Sequence, residues 1–252
     1  YVQDALPGSE GQWVDLLDKT LSKWEAWTGV PNVKFFEQDV KKGKPSGLGD
    51  PFSIYTVNQK PNGTLILRIS GEVDGCLITR ESFSDYHLTM EFKWGDKKWP
   101  PRLNDRRGGG LLYHCYGEHG YLWKAWTRSL EFQLWESDFG SLFHLGSTRS
   151  TTSKDPQSVW NPAYPPKQSG AHTTRSVNME NPKGQWNRID LYVLGDSAVH
   201  VLNGKVIMAV TDAKRHDKTP LDAGQVGFQS EGAECYIRDI RIRPIRKLPK
   251  IK

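Results

Sequence analysis

The sequence predicts an all-β protein, a sandwich or barrel of many short strands. Three observations carry this. From "FSIYTV" onward, apolar and polar residues alternate in short runs. Turn residues recur between those runs, at Asn62-Gly63, Gly71, Gly75 and Asn203-Gly204. Internal repeats and heptads are absent. The 252 residues are enough for one large all-β domain or two small ones. We read them as a single domain over 1–252, with a short N-terminal arm and a long loop at about 146–184.

Composition narrows the classes. Hydrophobic residues make up 37% and the mean hydropathy is −0.62, which provides a core in a water-compatible chain. No apolar run is long enough to span a bilayer. The net charge of +5 is small for this length, and much of it sits in the tail "RIRPIRKLPKIK". A nucleic-acid binder would cluster Lys and Arg among aromatics, so none is expected as a partner. The 10 Trp are many, and Trp-rich β proteins often use some as ligand platforms. Cys76, Cys115 and Cys235 permit at most one disulfide, sit in or beside apolar runs and read as buried free thiols.

Residues 12–27, "QWVDLLDKTLSKWEAW", suggest a short helix or a turn-rich arm through Leu16, Leu17 and Leu21. Asn62-Gly63 is a hairpin signal before the strand "TLILRIS". In "YHLTMEFKWG", Leu88, Met90 and Phe92 alternate with Thr89, Glu91 and Lys93, so Glu91 and Lys93 share a polar face. Residues 95–109 form a Lys/Arg/Pro/Gly loop. The stretch Gly108 to Gly140 organises the chain: two strand-like runs, Gly110 to Cys115 and Ser129 to Glu136, flank an aromatic connector. Phe132 and Leu134 alternate with Glu131, Gln133 and Trp135, which gives one apolar face and one carrying a carboxylate, an amide and an indole. That second face suits a sugar, whose hydroxyls want acceptors and whose C–H faces want flat rings.

The loop at 146–184 is too long to be structureless in a compact domain. Trp160, Tyr164 and His172 make it a folded flap. "WNRIDLYVLG" and "AVHVLNGKVIMAV" form hairpin strands, with Asn203-Gly204 supplying a type I′ turn. Ile237, Ile240 and Ile242 mark a final strand with its Arg residues outward.

Taken in order, these segments resemble the 3-keto-disaccharide hydrolase domain family of the concanavalin-A-like lectin/glucanase superfold. "WVDLLDKTLSKW" sits where relatives carry a Trp, a Leu-Phe-Asp and a closing Trp. "FSDYHLTMEFKWG", "GGGLLYH" and "SLEFQLWE" match its Glu-Phe, Leu-Leu-Tyr-His and Glu-x-Gln strands. "GQWNRI", "HVLNG" and "VGFQSEG" match its closing motifs. Gly109 stands where many relatives have Ser, Trp135 where close relatives often have Gln, and Ser141 for a frequent Asp. The resemblance implies a concanavalin-A-like jelly-roll β-sandwich of two mainly antiparallel sheets, one concave and carrying a cleft. It also implies cleavage of a glycoside already oxidised to a ketone at C3. The ketone acidifies the C2 proton; a base removes it, and the enolate expels the C1 substituent.

Glu131 is the expected base. Gln133 would orient the ketone, and His114 would act as acid or electrophile. Glu136, the alternative acid, falls on the core side by strict alternation unless a bulge or the strand end turns it outward. Tyr113 alternates with His114, so one of the two faces the cleft. Substrate contacts are expected from Glu91, Lys93, Tyr113, Trp135, Asn187, Gln229 and Glu231; His144 and His172 are further candidates. His114, Glu131 and Glu136 could hold a divalent metal, although no recognised metal spacing occurs. Two rival readings use the same residues. Glu131-x-Gln133-x-x-Glu136 resembles the Glu-x-Asp-x-x-Glu strand of retaining glucanases, and a lectin-like module would bind sugar without turnover. The start at "YVQDALPG" reads as a trimmed mature end, and by analogy with relatives export to the periplasm or cell surface is expected.

Overall fold

The computed structural model describes residues 3–4, 11–31 and 42–250. The described chain forms nineteen strands. They are β1 Gln3–Asp4, β2 Val14–Asp15, β3 Trp24–Thr28, β4 Gly47–Leu48, β5 Tyr55–Gln59, β6 Leu65–Ile69, β7 Gly75–Thr79, β8 Tyr86–Lys98, β9 Gly110–Tyr116 and β10 Arg128–Gln133. The remainder are β11 Leu142–Leu145, β12 Arg149–Ser153, β13 Pro166–Gln168, β14 His172–Thr173, β15 Asn187–Leu194, β16 Ser197–Leu202, β17 Lys205–Lys214, β18 Gln225–Ser230 and β19 Ala233–Pro244.

These strands make two antiparallel sheets packed face to face, a jelly-roll β-sandwich. The larger runs β13-β12-β17-β16-β15-β8-β19-β6-β5, with β1 on β17 and β2 on β19. The smaller runs β14-β11-β10-β9-β18-β7-β3-β4. Alternation sorts residues as expected. Leu88, Met90 and Phe92 from the larger sheet meet Leu111, Leu130, Phe132 and Leu134 from the smaller in one apolar core that runs from Leu16 to Ile245. At roughly 1.5–3 kcal/mol for each large apolar side chain removed from water, this core is the main source of stability.

The turn chemistry follows the sequence. Asn203 and Gly204 have φ of 49° and 82°, which a type I′ hairpin between β16 and β17 requires. Ile237 and Ile240 are three residues apart yet both buried, because Asp239 (φ 53°) inserts a bulge in β19. All three cysteines are free and buried.

Residues 12–27 are the turn-rich arm and hold no helix. The Asp18 carboxylate accepts from the Thr20 amide at 2.8 Å and the Ser22 hydroxyl at 2.6 Å, so it caps a turn where a helix interior would need a non-competing side chain. The flap at 146–184 is woven into both sheets. β12 and β13 extend the larger one, β14 extends the smaller, and Trp160 is 1% exposed in the core.

Candidate functional site

Cross-strand partners share a face, so the register defines what the outer side of the smaller sheet carries. One row reads His172, Phe143, Glu131, Leu112, Gly227, Ile78 and Glu25. In the neighbouring row Gln133 pairs with Gly110, and Gln229 pairs with Cys76 and through it with Trp27. The face has two halves. Over Cys76, Ile78 and Leu112 the connector between β9 and β10 folds back, and Ala125, Trp126 and Leu145 complete a second apolar cluster. The other half is polar.

Glycines clear the floor of the polar half. Glu131 Oε1 lies 2.4 Å, and Gln229 Oε1 2.5 Å, from the point where a Gly110 Cβ would stand. Both side chains therefore converge over a residue that has none. Above Gly108 the same holds for Glu231 and the Trp135 indole nitrogen, each 2.9 Å from the Cβ position. Trp135 Nε1 approaches Glu231 Oε2 at 3.5 Å, and Arg102 donates to Glu231 Oε1 at 2.6 Å. Gln133 completes the group; its Oε1 accepts from the Leu134 amide at 3.2 Å.

These groups are covered, and the expectation of an open hollow is corrected: Glu131, Gln133, Gln229 and Glu231 are 3–4% exposed. Burial then sets the electrostatics. Desolvation pushes the Glu131 carboxyl well above its ordinary value, and the nearby charges of Glu231 and Asp138 push the same way. Glu231 is raised by burial too, with Arg102 opposing. Beside Arg102, burial lifts Asp74 to about 7. Burial thus raises Glu131, Glu231 and Asp74 alike, while the Arg102 guanidinium opposes it at Glu231 and Asp74.

A second polar patch lies next to Glu131. The Ser141 hydroxyl donates to Asp138 Oδ1 at 2.6 Å, His172 Nε2 is 3.7 Å from Asp138 Oδ2, and Arg175 donates to the Ser137 carbonyl at 2.7 Å. Glu136 falls here because the strand ends at Gln133; Arg107 donates to its carboxylate at 3.1 Å. Glu180 accepts from the Ser137 amide at 2.7 Å, and burial lifts it to about 7.

Several expected members lie elsewhere. Neither Tyr113 nor His114 faces the polar half. Tyr113 is in the core, where its hydroxyl meets His200 Nε2 at 3.0 Å. His114 has φ 55° at a bulge, and its imidazole lies by Gly195, Asp222 and Arg215, with desolvation pulling it down to about 4. The bulge breaks the alternation on which the reading of His114 rested. Glu91 and Lys93 do share a face, but it is the outer face of the larger sheet, where Arg238 donates to Glu91 at 2.6 Å. Asn187 accepts from the Asn181 amide at 2.7 Å and the Asn203 side chain at 3.0 Å, which braces a hairpin. His144 turns from the polar half to Ser150, 2.8 Å away. With His114 removed, the proposed metal ligands do not gather, and among the described residues no group of three or more His, Cys, Asp or Glu is placed to hold an ion.

Arg102, Asp74, Asp138 and Arg175 were not singled out from sequence. Each comes from a loop, where no periodicity announces which way a side chain points. His172 had one available signal: a lone imidazole in a flap too long to be unstructured.

The family model for the 3-keto-alpha-glucoside-1,2-lyase-like domain matches residues 12–243. Among curated proteins no match was found. Two solved structures from Parabacteroides distasonis, both described as candidate glycosyl hydrolases, share the fold. One is 15% identical with a TM-score of 0.54, covering 93% of this chain and 100% of its own. The other is 14% identical with a TM-score of 0.53, covering 93% and 94%. At such identity they speak to the fold alone. The chain therefore belongs to the 3-keto-alpha-glucoside-1,2-lyase-like domain family, a carbohydrate-active group.

Proposed function

We propose that this protein cleaves 3-keto glycosides by abstraction of the C2 proton and elimination across C1–C2, with Glu131 as the base. The convergence of Glu131 and Gln229 over the bare Gly110 carries the reading, because it sets a carboxyl and an amide at one point of a covered polar site. An ionised Glu131 takes the C2 proton. The electron pair left on C2 delocalises onto the C3 oxygen as an enolate and then expels the C1 substituent with its bonding electrons. The departing oxygen needs a proton, and water adding at C1 would turn the elimination product into the free 3-keto sugar.

The roles divide by chemistry. Gln133 and Gln229 carry amide donors suited to the enolate oxygen. A raised pKa makes the Glu131 carboxylate a stronger base once ionised. Glu231, held by Arg102 and Trp135, lies beside Glu131 and adds to the upward push on its carboxyl. His172, which borders the polar half through Asp138, is the candidate for protonating the leaving oxygen. A glucanase reading needs a second free catalytic carboxyl across the bond, and the ion pair of Glu136 with Arg107 counts against that residue.

Product analysis with a 3-keto glucoside beside the unoxidised glucoside tests this. Cleavage of the keto form alone is expected, with a rate that rises with pH as Glu131 ionises. Cleavage of the plain glycoside, or a rate that falls over the same range, would overturn the assignment.

A further inference from the structure

The outer face of the larger sheet carries a cavity of about 480 Å³ that the proposed reaction does not use. Two cross-strand rows build it. Lys93 pairs with Tyr236, and Glu91 pairs with Arg238, which in turn faces Ile66. Trp186, just before β15, leans over both rows: Lys93 Nζ is 5.0 Å and the Arg238 guanidinium 4.1 Å from its ring centre. Lys93 is also 5.4 Å from the Tyr236 ring, so one ammonium sits between two aromatic faces. The hairpin between β5 and β6 closes the cavity with Lys60 and Asn62.

The charge is one-sided. Lys60, Lys93 and Arg238 line the cavity, and no Asp or Glu is among its lining residues. Glu91 reaches Arg238 from outside the lining at 2.6 Å and offsets that one cation. Lys93 and Lys60 leave a net positive hollow with two rings and two amides, from Asn58 and Asn62. Its volume falls within the range of small-ligand sites.

We propose that this hollow is a second, non-catalytic saccharide site, selective for a uronate unit whose carboxylate meets Lys93 and Lys60 while its C–H face lies against the half-buried rings of Trp186 and Tyr236. A neutral sugar would leave the ammonium groups without an anion; a simple anion would make no contact with the rings. From the proposed function the inference takes only the ligand's class, since the position is set by the opposite sheet from Glu131.

The test is titration of the full chain with a short oligogalacturonate, the matching neutral gluco-oligosaccharide and inorganic phosphate. Saturable uronate binding that weakens as salt rises is expected, with the neutral sugar and phosphate each at least about tenfold weaker. Lys93→Gln and Trp186→Ala should each lower uronate affinity about tenfold, with thermal unfolding checking that both variants fold. Glu131→Gln, on the other sheet, should bind the uronate like wild type whether or not the protein turns over a 3-keto glycoside; this separates failure of this site from failure of the catalytic reading. Absent uronate binding, equal affinity for the neutral sugar or for phosphate, indifference to both substitutions, or loss in Glu131→Gln would each overturn the proposal.

Discussion

Two polar groups, one at each sheet, both contain a Glu, an Arg and a Trp. Glu131, Glu231, Arg102 and Trp135 sit on the smaller sheet, and Glu91, Arg238, Lys93 and Trp186 on the larger. In sequence both arise from a strand that alternates apolar and polar residues. They differ in exposure. The smaller sheet's group is covered, with Glu131 and Glu231 at 3% and 4% exposure, whereas the Glu91–Arg238 pair keeps about 30% on each side chain. Water screens the exposed pair and leaves it worth little. Without that screening, the covered carboxyls hold their protons more tightly and press on one another. Burial, more than residue type, sets the two groups apart.

The largest break in this comparison should come from Glu131→Gln. The substitution keeps shape and removes the base, so turnover of a 3-keto glucoside should fall by about 10²–10⁴-fold, with the circular dichroism spectrum unchanged. Retained turnover would strip Glu131 of its role. Next is Gly110→Ala, whose methyl group would stand 2.4 Å from Glu131 Oε1. Displacing the two oxygens there should cost on the order of 10²-fold in rate and about 1–3 kcal/mol in stability. A variant as active as wild type would show that the convergence over Gly110 is incidental.

The third test uses pH. Glu131 binds its proton more tightly folded than unfolded, so its contribution to stability is lost as pH rises from the ordinary carboxylate range toward its raised value. Asp74, at about 7, has the same sign. His114, His144 and His200, each pulled down to about 4, have the opposite sign, favouring the folded state as pH climbs from 4 toward 6.5. The raw curve therefore mixes both. The difference in melting temperature between Glu131→Gln and wild type isolates Glu131 and should grow in the variant's favour with pH; a constant difference would argue against the burial effect. The smallest effect belongs to the outer group. A double-mutant cycle on Glu91 and Arg238 should return a coupling of about 0–1 kcal/mol, read by denaturant unfolding. A coupling several times larger would erase the contrast.

The fold was legible wherever period and turn chemistry agreed. Leu88, Met90 and Phe92, or Phe132 and Leu134, needed only a two-residue repeat, and Asn203-Gly204 needed only positive φ. The site was half legible. Alternation alone sets Glu131, Gln133 and Trp135 on one face. It cannot say which of two polar faces is covered, so Glu91 and Lys93 were grouped with Glu131 although they belong to the other sheet. It also assumes an unbroken strand, and the bulge at His114 sends that imidazole away from the group. Arg102 and Asp138 reach theirs from loops, where side-chain direction depends on the finished fold.

The flap strands have a further consequence. β12 pairs along β17, and β14 pairs with β11, so one excursion of the chain masks a border of each sheet. Unmasked borders offer free amides and carbonyls to any neighbouring molecule. Deleting this excursion would therefore take Trp160 out of the core and also free both borders, leaving a chain prone to join its own copies strand to strand.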